Sequence, residues 1–241
     1  LHMASAISAA PHGIRAVTAA LDGSSAVVEV STALTGTADS VTYELADAEG
    51  QVLATAEGLG TVQLAANGIT PWTPETPALY TLRVTVTANG TADTAEQRIG
   101  IRTIQVSSKT GLLLNGQPRT MKGGCIHHDL GILGAADHAA AERRRIRLMK
   151  ESGFDAIRAA HNPFGPAFLD ACDELGMLVV EEAFDEWVMG RTSFGLHVTF
   201  EQCWEKDLED MITRDYNHPC IVMWSTGNEV EERDGTADGF A

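Results

Sequence analysis

The chain has 241 residues, 44% of them hydrophobic, which is enough apolar material to bury the core of one large domain or of two moderate ones. It carries 17 Lys and Arg against 33 Asp and Glu, and the resulting formal net charge of -16 argues against nucleic acid or an anionic membrane as a partner, because both require a cationic face. Its apolar runs are far shorter than the roughly 20 residues that cross a bilayer, and its first residues lack the pattern of a signal peptide.

The N-terminal part of the chain has the period of β-strands. Residues 1–10 are interpreted as a tail that starts with residues left by cloning. Residues 11–105 are rich in Val, Thr and Ala in short alternating runs, and Asn89-Gly90 between two such runs predicts a hairpin. About seven short strands in roughly 90 residues predict an immunoglobulin-like β-sandwich.

Residues 106–241 are assigned to a second domain, in which the pattern changes from Met121 onward to apolar strands that alternate with helices, as is typical of parallel βαβ units. Helices are predicted from Ala139 to Glu151, from Pro166 to Leu175 and from Phe200 to Asp215. The predicted strands are "MKGGCIH", "DAIRAAH", "LVVEEAF" and "CIVMWSTGNE". Four such units predict the first half of a TIM (β/α)8 barrel, since a whole barrel typically needs about 250 residues.

A half barrel has two open sheet edges, at its first and fourth strands, and one uncovered apolar side. Exposed edges and apolar patches of this kind promote pairing between chains. We therefore expect self-association, or a homo-oligomer, for this chain.

The cysteines follow no metal-binding or disulfide pattern. Cys125, Cys172, Cys203 and Cys220 lack C-x-x-C spacing and lie in apolar stretches. This favours buried free thiols, which suit a reducing cytoplasm.

Polar and ionisable side chains follow each of the four predicted strands of the C-terminal part. The carboxyl ends of barrel strands meet at one face, so these side chains are expected to lie together. They are His127, His128 and Asp129 after strand one, Arg158, His161 and Asn162 after strand two, Glu181, Glu182, Asp185, Glu186 and Trp187 after strand three, and Asn228 and Glu229 after strand four.

Several of these residues also have a structural interpretation. Strand neighbours point to opposite faces, so His127 is assigned a structural role and His128 the site. Arg158 is expected to pair with one of the strand-three acids, and the sequence leaves open which one. Trp187 is a candidate surface for sugar stacking, although core packing explains it equally well, and Trp224 is interpreted as a core residue.

The turn Gly227-Asn228-Glu229 places an amide beside a carboxyl at the end of an apolar strand. The amide can hydrogen-bond a substrate hydroxyl, and a partly desolvated carboxyl can deliver a proton to a leaving oxygen. This arrangement indicates glycosidic bond cleavage.

The chain resembles family 2 of the glycoside hydrolases, the family of β-galactosidases, β-glucuronidases and β-mannosidases. The resemblance covers about residues 70 to 230, and the "GGCIHHDLG" stretch is most similar to β-galactosidases. The matching stretches are "PWTPETPALYTLRV", "GIRTI", "LLLNGQPRTMKGGCIHHDLGILG", "GFDAIRAAHNP", "DELGMLVVEEAFDEW" and "RDYNHPCIVMWSTGNE".

The resemblance implies a retaining β-glycosidase in which Glu229 is the general acid/base and Asn228 binds the sugar 2-hydroxyl. It further implies sugar contacts from His161, His128, Asp129, Asn162 and Asp185. A retaining glycosidase needs a second carboxylate, about 5 Å from the first, as nucleophile. The family takes it from a later barrel strand, so we expect the nucleophile beyond Ala241 and little or no activity for this chain alone.

The resemblance also bears on metals and cofactors. Some β-galactosidases bind magnesium through Glu-x-His after strand three, but here Glu186 is followed by Trp187 and Val188. We therefore expect neither that metal site nor a cofactor.

Two other functions fit parts of the pattern. A metal-dependent hydrolase is suggested by His127, His128, His161 and Glu229, but adjacent histidines do not give the His-x-His geometry that such barrels use. A non-catalytic carbohydrate-binding or scaffold module is the second alternative, with the sandwich as a spacer.

Overall fold

The computed structural model describes residues 8–190 and 192–230 of the chain. Within the described residues, the first of two compact units contains residues 8–120 and Tyr216–Pro219, and the second contains the rest up to residue 230. The strands are β1 (Ala9–Asp22), β2 (Ser25–Leu34), β3 (Ser40–Ala46), β4 (Val52–Glu57), β5 (Val62–Asn67), β6 (Tyr80–Ala88), β7 (Thr91–Ile99), β8 (Ile104–Ser107), β9 (Gly111–Leu114), β10 (Gln117–Pro118), β11 (Gly123–Ile126), β12 (Ala156–Ala159), β13 (Leu178–Glu182) and β14 (Ile221–Ser225). The helices are α1 (Ala139–Glu151), α2 (Pro166–Leu175) and α3 (Phe200–Asp215), with single 3-10 turns at Gly131–Leu133 and Leu196–Val198.

The first unit contains the predicted sandwich. Its two main sheets are antiparallel, with strand orders β1-β2-β5 and β4-β3-β6-β7. Alternate residues of β3 are buried, so Val41, Tyr43 and Leu45 face the core with at most 1% of their surface exposed. The hairpin between β6 and β7 turns at Asn89 and Gly90, whose φ angles of 53° and 74° are those of the predicted two-residue turn.

A third, small antiparallel sheet of order β10-β9-β8 also belongs to the first unit. Strand β8 spans residue 105, where the sequence places the domain boundary, and β9 and β10 lie beyond it. That boundary stays a prediction.

The second unit contains a parallel sheet of order β11-β12-β13-β14, with α1, α2 and α3 connecting successive strands. All three helices have their predicted bounds. From the order of its sheets, the chain folds as an immunoglobulin-like sandwich followed by part of a TIM barrel. Buried side chains from the sheet and the helices, such as Ile157, Val179, Ile146 and Phe168, form the packed side of the sheet. Within the described ranges, none of the helices has the length and hydropathy needed to span a bilayer.

The cysteines are free thiols, as the sequence predicts, but not all of them are buried. Cys172 and Cys220 are fully buried, and burial raises the pKa of both thiols well above the ordinary value. Cys203 is half-buried. Cys125 lies on the edge strand β11, whose residues Gly123, Gly124 and Cys125 are all exposed, so the prediction of burial is wrong for this residue.

Candidate functional site

The candidate site is organised around Glu182, the last residue of β13. Glu182 lies opposite Ser225 of β14, and Val180 lies opposite Arg158 of β12. Alternate residues of a strand share one face, so Arg158, Glu182 and Ser225 project together from the same side of the sheet.

Glu182 accepts hydrogen bonds from three neighbouring side chains. The Nε and Nη2 atoms of Arg158 lie 3.0 and 2.8 Å from its carboxylate oxygen Oε2, and the Oγ atom of Ser225 lies 2.7 Å from the same oxygen. The Nδ1 atom of His161 lies 2.7 Å from Oε1. Glu182 is therefore the strand-three acid that pairs with Arg158, a choice that the sequence left open.

The Glu182 carboxylate stays ionised although its side chain is only 1% exposed. Burial by itself would raise the pKa of this carboxyl, but the hydrogen bonds from His161, Ser225 and Arg158, together with the charge of Arg158, outweigh burial and lower the pKa. Because its oxygens are occupied by these donors, Glu182 is poorly suited to attack a substrate or to transfer a proton.

Asn228 is held at both ends of its side-chain amide. Its Oδ1 atom accepts a hydrogen bond from Arg158 at 2.9 Å, and its Nδ2 atom donates to Asp185 at 3.1 Å. The backbone N–H of Asn228 donates to the carbonyl of Phe184, and the residue is buried. The network thus fixes the position and the orientation of the amide.

Glu229 follows Asn228 and is exposed, so the partial desolvation expected from the sequence is not present in the described part of the chain. Its φ of 46° lies in the left-handed region, which few non-glycine residues adopt. The preceding Gly227 leaves room for Trp187, since a Cβ atom at Gly227 would lie 2.8 Å from Nε1 of the indole.

Trp187 packs against the turn that contains Thr226 and Gly227. Its indole N–H donates to the carbonyl of Thr226 at 3.0 Å, its ring stacks on Phe200, and only 7% of the residue is exposed. The structure therefore shows the core packing that the sequence allowed for Trp187 and leaves little surface for sugar stacking. Trp224 is more exposed than the sequence predicts. This predicted core residue is 36% exposed, because β14 has only one neighbouring strand in the part described.

The two adjacent histidines take different places from those that the sequence predicts. Strand β11 ends at Ile126, so the alternation of strand side chains does not extend to His127 and His128. The exposed His127 ring meets the edge of the His161 ring, with the two centroids 4.9 Å apart. His127, which was assigned a structural role, therefore joins the candidate site.

His128 and Asn162 contact each other in a second cluster. The Nε2 atom of His128 lies 3.1 Å from the carbonyl oxygen of Asn162, and the His128 ring stacks on Phe164 at a centroid distance of 4.0 Å. Asp129 accepts a hydrogen bond from the backbone N–H of Gly131 at 2.8 Å. Their predicted role as sugar contacts stays a prediction.

Sequence reasoning missed two contributors to the site. Ser225 bonds Glu182, and only its place at a strand end could have indicated this. Arg145 of α1 pairs with Glu142 and donates to the backbone carbonyls of His127 and Asp129 at 3.1 and 3.2 Å. No local pattern distinguishes Arg145 from the other arginines of its helix.

Glu186, the first residue of the magnesium pattern considered above, is buried and engaged within its own loop. Its Oε1 atom accepts a hydrogen bond from the backbone N–H of His197 and lies 2.9 Å from Nδ1 of that residue. These contacts join the two residues across the segment that separates them in the chain.

Comparison with known proteins identifies the same two regions. The model of the TIM barrel domain of glycosyl hydrolases family 2 matches residues 104–238, and a second model of glycosyl hydrolases family 2 matches residues 12–102.

Among curated relatives, the β-galactosidase BoGH2A of Bacteroides ovatus is 38% identical over 94% of this chain and 29% of its own length. A putative β-glucuronidase of Formosa agariphila is 34% identical over 91% of this chain and 22% of its own length. A crystal structure of a glycosyl hydrolase family 2 member from Bacteroides cellulosilyticus superposes with a TM-score of 0.89 and 34% identity, over 95% of this chain and 32% of that one. The chain thus spans less than a third of the length of these proteins.

Proposed function

Because the chain belongs to family 2 of the glycosyl hydrolases, we propose that it contributes the acid/base half of the site of a retaining β-glycosidase. The observation that carries this proposal is the amide of Asn228, which Arg158 and Asp185 hold in place immediately before the exposed Glu229. General acid catalysis requires a carboxyl within hydrogen-bond reach of the leaving oxygen, and a fixed amide beside that carboxyl can hold the sugar by a hydroxyl.

In the proposed reaction, Glu229 protonates the glycosidic oxygen as the bond to the leaving group breaks. A second carboxylate, about 5 Å away, attacks the sugar to form a covalent intermediate, and Glu229 then deprotonates the water that hydrolyses it. Glu182 is an unsuitable nucleophile because its oxygens are occupied. We expect the nucleophile beyond Ala241, so this chain alone has little or no activity.

The proposed sugar contacts come from two groups of residues. Asn228 is the proposed contact of the 2-hydroxyl. His161 and His127 contact each other through their rings, next to the carboxylate of Glu182. The second group contains His128, Asp129 and Asn162, which follow the ends of β11 and β12. Asp185 acts through Asn228, which it holds.

We propose a β-galactoside as the substrate, because the relative BoGH2A is a β-galactosidase. A β-glucuronide is the second candidate, since the Formosa agariphila relative is named a putative β-glucuronidase. No cofactor takes part in the proposed mechanism.

The test is hydrolysis of aryl β-galactoside, β-glucuronide and β-mannoside by a longer version of the protein that includes the remaining barrel strands. The 241-residue chain and a Glu229→Gln variant of the longer protein serve as controls. Cleavage of one glycoside by the longer protein, with both controls inactive, supports the proposal and names the sugar. Sugar binding without turnover would instead support the non-catalytic carbohydrate-binding module, and stoichiometric zinc with turnover would support the metal-dependent hydrolase.

A further inference from the structure

We infer that Glu182 is a positioning residue that holds the proton of His161 on Nδ1 and so leaves Nε2 as a hydrogen-bond acceptor for a ligand hydroxyl. The identity of that ligand as a sugar rests on the proposed function. The position of the proton does not, because it follows from contacts within the second unit.

His161 and Glu182 are in direct contact. The Nδ1 atom of His161 lies 2.7 Å from Oε1 of Glu182. An ionised carboxylate can only accept hydrogen bonds, so Nδ1 must be the donor at this distance. A bare Nδ1 would place two lone pairs against each other.

The carboxylate of Glu182 is ionised at neutral pH. Glu182 receives the guanidinium of Arg158 and the hydroxyl of Ser225, and its pKa is lowered in spite of burial. Glu182 therefore remains an acceptor at neutral pH. Proton placement through a hydrogen bond to the other ring nitrogen is the way that carboxylates set the tautomer of histidines elsewhere in proteins.

The position of the proton determines which ligand groups Nε2 of His161 can bind. A neutral imidazole with its proton on Nδ1 can bind a hydroxyl at Nε2 only when that hydroxyl donates its hydrogen. A ligand in which this hydroxyl is replaced by fluorine cannot donate and would lose the contact. His161 would thus select for a hydroxyl donor rather than for an acceptor.

The test is nitrogen-15 NMR of the eight histidine rings of the 241-residue chain, recorded at a pH at which the nitrogen shifts are those of neutral imidazole. Long-range proton-nitrogen couplings identify which ring nitrogen carries the proton, and the signal lost in His161→Gln assigns the ring. In the unaltered chain we expect the proton of His161 on Nδ1.

Glu182→Gln is expected to move this proton to Nε2. Three donor contacts, two from Arg158 and one from Ser225, converge on Oε2 of Glu182, whereas Arg158 makes a single contact of 3.0 Å with Oε1. The amide oxygen of a glutamine therefore takes the place of Oε2, and its NH2 group turns to Nδ1 of His161. Glu181→Gln is the matched control. Glu181 neighbours Glu182 on β13 but accepts from the backbone N–H of Phe164, so this change should leave the proton on Nδ1.

Two outcomes overturn the inference: a proton on Nε2 in the unaltered chain, or a proton that stays on Nδ1 in Glu182→Gln. Should Glu182→Gln not fold, Glu182→Asp replaces it, because the shorter carboxylate withdraws from Nδ1 and the two tautomers should mix. An unchanged Nδ1 proton in that variant would also refute the role of Glu182. The spectra require no turnover, so they can fail or succeed independently of the glycosidase assays.

Discussion

Glu181 and Glu182 are adjacent, buried and identical in type, yet they lie on opposite faces of β13. Glu181 bonds the backbone N–H of Phe164, whereas Glu182 bonds Arg158, His161 and Ser225. The sequence predicts that the two carboxylates point apart, because strand side chains alternate. It does not predict which one faces Arg158, since both faces of a barrel strand are buried and the apolar pattern is the same for either choice.

Glu182→Gln should lower the free energy of unfolding by about 2 kcal/mol at neutral pH, because the amide oxygen keeps the contacts on Oε2 but loses the negative charge that faces the Arg158 guanidinium. The pKa of Glu182 is lowered in the folded chain, so its contribution is fully present above the ordinary value of 4.5 and disappears as the pH falls through the folded pKa. Urea unfolding at neutral pH and at several values below 4.5 should show the difference between the two proteins shrinking. A difference that stays constant over this range would contradict the account. An exposed control, Glu205→Gln on α3, should change the free energy by less than about 0.5 kcal/mol.

Glu229 has a left-handed backbone that disfavours any side chain. Glu229→Gly should therefore be more stable than Glu229→Ala by about 1 kcal/mol, because both variants lose the carboxylate but only alanine retains the strain. At Glu205, within α3, the order should reverse and alanine should be the more stable by about 1 kcal/mol. Chemical denaturation of the four variants measures both differences. The same order at the two positions would argue against a left-handed Glu229.

At the scale of elements, the helices were predicted better than the strands. The bounds of α2 carry strong local signals, since Pro166 suits a first helical turn and Gly176 suits the left-handed residue beyond the end. The strand β11 carries no such signal at its end, and it stops at Ile126 rather than at the predicted His127. That single residue removes the alternation on which the roles of His127 and His128 were predicted.

Gly176→Ala should lower the free energy of unfolding by about 1 kcal/mol, because Gly176 has a φ of 73° and its N–H closes α2 on the carbonyl of Cys172. Gly176→Asn should lose less, since asparagine tolerates this conformation better. Gly124→Ala is the matched control, with open space around an added Cβ atom and a φ outside the left-handed region, and it should be neutral or slightly stabilising. Equal losses for Gly176→Ala and Gly124→Ala would contradict the assignment of the cap.

At the scale of the whole molecule, the change of hydrophobic period at Met121 predicts both halves of the fold, and the structure confirms a sandwich and a partial barrel. Period and turn residues are local properties, so they can be read along the chain. The hydrogen bonds of the site join residues of β12, β13 and β14 that are far apart in sequence, such as Arg158 and Glu182, or Glu182 and Ser225. Side chains of this kind meet through strand register, which no single stretch of sequence specifies.

The parallel sheet predicts how the 241-residue chain behaves in solution. Strands β11 and β14 each pair with one strand within the described residues, and Met223 and Trp224 of β14 are 43% and 36% exposed. We propose that chains associate through these edges. Light scattering and sedimentation should show dimers or larger species that dissociate on dilution, and Met223→Lys should weaken the association. A monodisperse monomer at every concentration would exclude this behaviour.

The general acid/base role of Glu229 is tested most directly by the dependence of rate on the leaving group, measured for Glu229→Ala in a longer version of the protein that includes the rest of the barrel. Dinitrophenol leaves without protonation, whereas an alkyl or sugar alcohol needs a proton from the enzyme. We predict that the variant still releases dinitrophenol from the activated glycoside, and that added azide accelerates turnover by replacing the water that needs a base. Cleavage of unactivated glycosides should be lost. An equal loss of activity on both kinds of glycoside, without rescue by azide, would contradict the role of Glu229 as the acid/base.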